Sequence, residues 1–132
     1  MILITGGTGY IGSHACVALA DAGFDVLLFD NLANSEASVV DRLETLCGKR
    51  PRFVQGDIRD GALLSRVFGE FRIDAVMHFA GLKSVGESVA NPLAYYDNNV
   101  VGSHVLLYGM RTSAVDTIVF SSSATVYDPT EP

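Results

Sequence analysis

Five short runs, mostly apolar and β-branched, alternate along this chain with longer stretches of helical period. The runs are Ile2 to Thr5, Asp25 to Phe29, Arg52 to Gln55, Asp74 to Phe79 and Thr117 to Phe120. Such runs fit strands covered on both faces, and strands that alternate with helices build βαβ units with right-handed crossovers. The expected architecture is α/β: one parallel, doubly wound sheet of five strands in the order 3-2-1-4-5, with four helices.

The helices are read from apolar spacing and from their stops. The first spans Tyr10 to Ala22, with Ile11, Ala15, Ala18, Leu19 and Ala22 on one face and Gly23 as its stop. The second spans Ser35 to Leu46, with Val39, Leu43 and Leu46 inward, and ends at Gly48. The third, Gly61 to Phe71, follows the N-cap residue Asp60 and carries Leu63, Leu64, Val67 and Phe68. The fourth starts after Asn91-Pro92, a cap followed by a first-turn proline, and runs to about Ser113. Residues 1–127 are expected to form one domain, and Asp128-Pro129-Thr130-Glu131-Pro132 a turn-like tail.

Of the 132 residues, 48% are hydrophobic, enough for one domain with a real core. A net charge of −6 with no cluster of Lys or Arg argues against a nucleic acid or an anionic membrane as partner. The opening apolar residues stop at Gly6 without a basic leader, and no apolar stretch is long enough to span a bilayer. The expectation is a soluble, cytoplasmic protein with a small ligand or a protein partner. Cys16 and Cys47 form no CxxC and read as buried or half-buried free thiols. His14, His78 and His104 lack ligand spacing and read as structural, so no metal is expected.

Gly6-Gly7-Thr8-Gly9-Tyr10-Ile11-Gly12 joins the first strand to the first helix. Gly7, Gly9 and Gly12 fit GxGxxG, whereas Gly6, Gly9 and Gly12 fit GxxGxxG. Either register lets a ligand approach the backbone, and the helix start offers free N–H groups to a pyrophosphate. Asp30 closes the second strand 18 residues beyond Gly12, near the spacing of a dinucleotide fingerprint. A carboxylate there accepts hydrogen bonds from an adenine ribose and repels a 2′-phosphate, which favours NAD over NADP. Asp57, Lys83 and Ser121-Ser122-Ser123 follow the third, fourth and fifth strands, at the sheet edge where ligands of open α/β proteins bind. Asp57 reads nearly as well as a helix-capping or turn residue as it does as an adenine contact, and the serines read equally well as a strand-to-loop transition.

The ordered set TGGTGYIGSH (5–14), DNLANS (30–35), GDI (56–58), HFAGLK (78–83), YYDNNV (95–100) and SSSATVY (121–127) resembles the UDP-glucose 4-epimerase family. That family lies within the extended short-chain dehydrogenase/reductase superfamily and has a Rossmann domain. The resemblance implies NAD as a tightly held cofactor. It also implies a UDP-hexose substrate and inversion at the sugar C4 by transient oxidation, interconverting UDP-glucose and UDP-galactose. It implies that Tyr10 and Ile11 meet the pyrophosphate, that Asp30, Asn31, Asn34 and Ser35 hold the adenosine ribose, and that Asp57 and Ile58 meet the adenine. Phe79, Ala80, Gly81, Lys83 and Asn98 would line the cofactor from the other side. Ser123 would hydrogen-bond the reacting sugar oxygen, aided by Thr125. The family's Tyr-x-x-x-Lys pair does not occur within these 132 residues, and Asp128 stands where the family usually has glycine. The 132 residues are therefore expected to lack the sugar-binding portion and to be inactive alone, a non-catalytic NAD-binding module being the alternative reading. Another nucleotide-sugar enzyme of the superfamily, a dehydratase or decarboxylase, is the alternative within enzymes. The resemblance further implies a homodimer through the third and fourth helices.

Overall fold

The structure, a computed structural model, describes residues 1–123. The strands are β1 (Ile2–Thr5), β2 (Val26–Asp30), β3 (Arg52–Gln55), β4 (Ala75–His78) and β5 (Ile118–Phe120). All four pairings are parallel, and the sheet order is β3-β2-β1-β4-β5, as the alternation of elements predicts.

Because successive strand residues face opposite ways, adjacent apolar residues feed two different cores. Leu3, Leu27 and Val76 pack with Leu64, Val67 and Phe68 of α3 (Gly61–Glu70) and with Leu106 and Met110 of α6 (Gly102–Thr112). Ile4 and Leu28 pack on the other face with Cys16 of α1 (Tyr10–Asp21) and with Val40 and Leu43 of α2 (Ser38–Cys47). A sheet buried on both sides explains why the central strands read as continuous apolar runs.

Two helix faces differ from expectation. In α1 the buried residues are Gly12 and Cys16, whereas Ile11, Ala18 and Ala22 are exposed. A Cβ on Gly12 would stand 2.1 Å from the Gly6 carbonyl oxygen, so this edge of the helix is pressed onto the preceding loop and Cys16 follows it inward. In α2, Val40 and Leu43 are buried and Leu46 is exposed. That helix starts at Ser38 rather than Ser35 because the Ser35 hydroxyl is engaged with Thr8 at 2.7 Å and with Asp30 at 3.3 Å. Gly48 ends it with φ +71°, a left-handed cap.

The fourth expected helix is three pieces, and a short helix precedes it. α4 (Val85–Ala90) is capped by Ser84, and α5 (Pro92–Tyr95) by Asn91, whose Oδ1 accepts from the Ala94 N–H at 3.3 Å. A π-helical turn over Tyr96–Val101 joins α5 to α6. Its wider winding is invisible to a search for 3.6-residue periodicity. No helix among the described residues is long and apolar enough to cross a membrane.

Candidate functional site

A cleft of about 340 Å³ opens at the carboxyl ends of β1 to β4. Its size is that of a small-molecule site. Gly6 and Gly9 form one wall. Gly6 has φ +68°, and a Cβ there would stand 2.7 Å from the Ala80 nitrogen, so this position demands glycine twice over. Gly7 is packed instead against Leu28 and the Ile4 carbonyl, each 2.9 Å from where its Cβ would be. Of the loop's glycines, Gly6 and Gly9 line the cleft, whereas Gly7 and Gly12 do not. α1 begins with no side-chain cap, leaving its first amides to an anion. Tyr10 and Ile11, 82% and 56% exposed, follow Gly9 without lining the cleft.

Asp30, at the end of β2, lines the cleft and is only 8% exposed. Its carboxylate accepts from the Thr8 N–H at 3.1 Å, the Leu32 N–H at 2.9 Å and the Ser35 hydroxyl at 3.3 Å. It therefore ties the glycine loop of β1 to the loop after β2. A carboxylate has about four acceptor positions, so one remains for a ligand hydroxyl. Asn31, Asn34 and Ser35 join it in the lining.

Asp57 is placed differently from Ile58, which lines the cleft. Asp57 accepts from the Arg59 N–H, Nε and Nη2 at 2.9, 2.9 and 2.7 Å, and from Asn31 Nδ2 at 3.0 Å. Hydrogen bonds from the Arg59 guanidinium hold its carboxyl well below the usual range. With both oxygens occupied, Asp57 anchors its neighbours. Arg59 itself lines the cleft and reaches Asp97 of the π turn at 2.5 Å, joining the two sides of the site.

The loop after β4 supplies Phe79, Ala80, Gly81 and Leu82, and Asn98 lies opposite. Lys83 is outside the lining but folds back on Gly81, its Nζ 3.6 Å from where a Gly81 Cβ would be. Asn99 bonds both main-chain groups of Leu82 and accepts from Asn98 Nδ2 at 2.8 Å. Behind this loop, His78 Nδ1 meets Thr5 Oγ1 at 2.6 Å and Nε2 meets Ser103 Oγ at 2.9 Å. Ser103 donates to the Asn99 carbonyl at 2.6 Å, so its oxygen accepts from Nε2–H, and Nδ1 accepts from Thr5. Burial, with the Lys83 cation adding to it, pushes the imidazole down to about 4.

Ser123 follows β5 and is exposed, outside the cleft lining; Thr125 lies outside the described residues. Sequence reasoning missed Arg59, Leu82 and Asn99. The sequence signal for the last was its place in the Asp97-Asn98-Asn99 run, and that for Arg59 was its place two residues after Asp57.

Comparison with known proteins follows the same line. The model of the NAD dependent epimerase/dehydratase family matches residues 2–132. A UDP-glucose 4-epimerase of Neisseria meningitidis serogroup B is 59% identical over 129 residues, covering 97% of this chain but 38% of the relative. A UDP-glucose 4-epimerase of Klebsiella pneumoniae is 52% identical over 96% of this chain and 91% of the relative. The crystal structure of the UDP-glucose-4-epimerase from Stenotrophomonas maltophila, with bound NAD and formylated UDP-arabinopyranose, superposes with a TM-score of 0.93. It is 54% identical, over 95% of this chain and 37% of that one. The chain thus spans less than two fifths of the length of the Neisseria relative.

Proposed function

The chain belongs to the NAD dependent epimerase/dehydratase family, and from that premise we propose that it carries the NAD site of a UDP-glucose 4-epimerase. The observation that carries this reading is Asp30, a buried carboxylate facing the cleft beside the glycine loop with one acceptor position left. That group suits a ribose diol and opposes a 2′-phosphate, which selects NAD over NADP. The residues fit the cofactor: Gly6 and Gly12 have no room for a side chain, so the loop packs closely on Ala80 and α1 on the loop, Gly9 presents no side chain to the cleft, and the uncapped start of α1 suits a pyrophosphate.

When bound, NAD supplies reversible hydride acceptance at a sugar carbon. The chain's own residues do the holding. Asp30, Asn31, Asn34 and Ser35 hold the adenosine ribose, Ile58 gives the adenine an apolar wall, and Asp57 secures Asn31 and Arg59 behind it. Tyr10 and Ile11 flank the pyrophosphate at the exposed start of α1. Phe79, Ala80 and Gly81 shape the opposite wall, with Lys83 and Asn98 supplying polar contacts there. Ser123 and Thr125, after β5, hydrogen-bond the reacting sugar oxygen. No Tyr-x-x-x-Lys pair occurs among the 132 residues, so no residue of this chain is assigned as the base.

A UDP-hexose substrate, a cytoplasmic location and a place in galactose metabolism go with this reading. Pairing of two copies also belongs to it, through α3 and the α5 to α6 segment; Leu93, Tyr96, Val100, Leu107 and Tyr108 leave an apolar face exposed there. The test is turnover by the natural-length protein that contains these residues. Interconversion of UDP-glucose and UDP-galactose with NAD bound is expected. Failure with that pair, with NAD still bound, would move the assignment to another nucleotide-sugar reaction.

A further inference from the structure

A second cleft, of about 180 Å³, lies at the opposite end of the sheet, where β1, β2 and β3 begin. Cys16 of α1 and Cys47 of α2 both line it. The two come from different helices packed on one face of the sheet and belong to the same apolar cluster. Both are free thiols: Cys16 has no exposed surface, whereas Cys47, the last residue of α2, is half-buried. None of the residues assigned to the NAD cleft shares this pocket.

We infer that Cys16 and Cys47 form an oxidisable dithiol, a modification site that closes to a disulfide by exchange with a low-molecular-weight disulfide such as oxidised glutathione. In the first exchange the Cys47 thiolate, the more accessible of the two, attacks one sulfur of the small disulfide. A mixed disulfide forms at Cys47 and one small thiol leaves. In the second, the Cys16 thiolate attacks the Cys47 sulfur, closing the Cys16–Cys47 bond and expelling the second small thiol. Two protein thiols are oxidised, one small disulfide is reduced to two thiols, and the two protons end on the departing thiols.

The order of attack follows from the surroundings. Burial, and then the neighbouring Cys47 thiol, push the Cys16 thiol up to about 12, so Cys16 is a poor first nucleophile. Conversion of Cys47 to a mixed disulfide removes the neighbour's part of that effect as it presents Cys16 with its target. Lys49, Arg50 and Arg52 outnumber the one carboxylate of the same cleft, Asp25. Asp25 pairs with Lys49 at 2.9 Å, and Asp41 and Glu44 outside the cleft pair with Arg50. The net positive lining that favours a small disulfide bearing carboxylates, such as glutathione, therefore rests chiefly on Arg52.

The test uses the whole chain, freshly reduced and then placed in oxidised glutathione at neutral pH, with intact mass and a non-reducing tryptic digest as readouts. The expected product is lighter by two hydrogens, with the peptide ending at Lys49 joined to the one ending at Arg42. Cys16→Ala is expected to stop at the Cys47 mixed disulfide, and Cys47→Ala to take up little glutathione in the same time. Closure by the folded chain is expected to be roughly tenfold or more faster than in urea, because the fold raises the local thiol concentration. A wild-type chain that stops at the mixed disulfide, or closes no faster folded than unfolded, would overturn the inference. The wild-type digest reads the crosslink directly, so either outcome is decisive even if neither variant folds.

Discussion

Asn99 holds both main-chain polar groups of Leu82: its Oδ1 accepts from the Leu82 N–H at 2.8 Å and its Nδ2 donates to the Leu82 carbonyl at 2.9 Å. The π turn thereby fixes the loop that forms one wall of the cleft. Asn99→Ala strips two part-buried groups of their partners, a loss of about 1–3 kcal/mol. A lower urea midpoint and weaker NAD binding are expected together. Undiminished binding in a destabilised variant would confine Asn99 to a folding role.

Asp30→Ala is expected to weaken NAD binding by about 1–3 kcal/mol, the usual loss for a hydrogen bond to a charged group. Asp30→Asn keeps an acceptor but removes the charge, so its discrimination between NAD and NADP should narrow. Calorimetric titration of both variants with both cofactors checks this. An Asp30→Ala chain that binds NAD as tightly as wild type would remove Asp30 from the site.

The glycines separate by the space around them. Gly12→Ala puts a Cβ 2.1 Å from the Gly6 carbonyl oxygen and is expected to displace α1 from the loop, with loss of NAD binding and of stability. Gly69 lies in α3 with nothing within 4 Å of its would-be Cβ. Gly69→Ala should therefore raise stability, by up to about 1 kcal/mol from helix propensity. Urea unfolding of the two variants beside wild type provides the contrast.

Acid should destabilise the fold through His78. Its pKa falls from 6.5 to about 4 in the folded chain, so between those values the unfolded chain binds more protons. The stability conferred by the neutral ring is full above pH 6.5 and is lost as pH falls through that window, up to about 3 kcal/mol in all. Asp57, also lowered, acts only below the ordinary carboxylate range. Urea midpoints measured from pH 7 to pH 4.5 should fall steeply for wild type and less steeply for His78→Gln.

The strands and their order were legible because a sheet covered on both faces writes itself as apolar runs, Leu3 and Ile4 feeding opposite cores. Caps were legible too: Asp60 accepts from the Leu63 N–H and Asn91 from the Ala94 N–H, each as its residue type predicts. Helix orientation was not. Ile11 turns outward because Gly12 must meet Gly6, a contact that no apolar spacing encodes. Within the site, Gly6, Gly9 and Asp30 could be read from one loop and one strand end. The reach of Arg59 to Asp97 and the hold of Asn99 on Leu82 could not, because their partners lie 38 and 17 residues away.

The most direct test of this account is calorimetric titration of the chain with NAD and, separately, with NADP. One NAD per chain is expected, with NADP bound at least roughly tenfold more weakly because Asp30 opposes the 2′-phosphate. A chain that binds neither, or binds NADP as tightly as NAD, would contradict it.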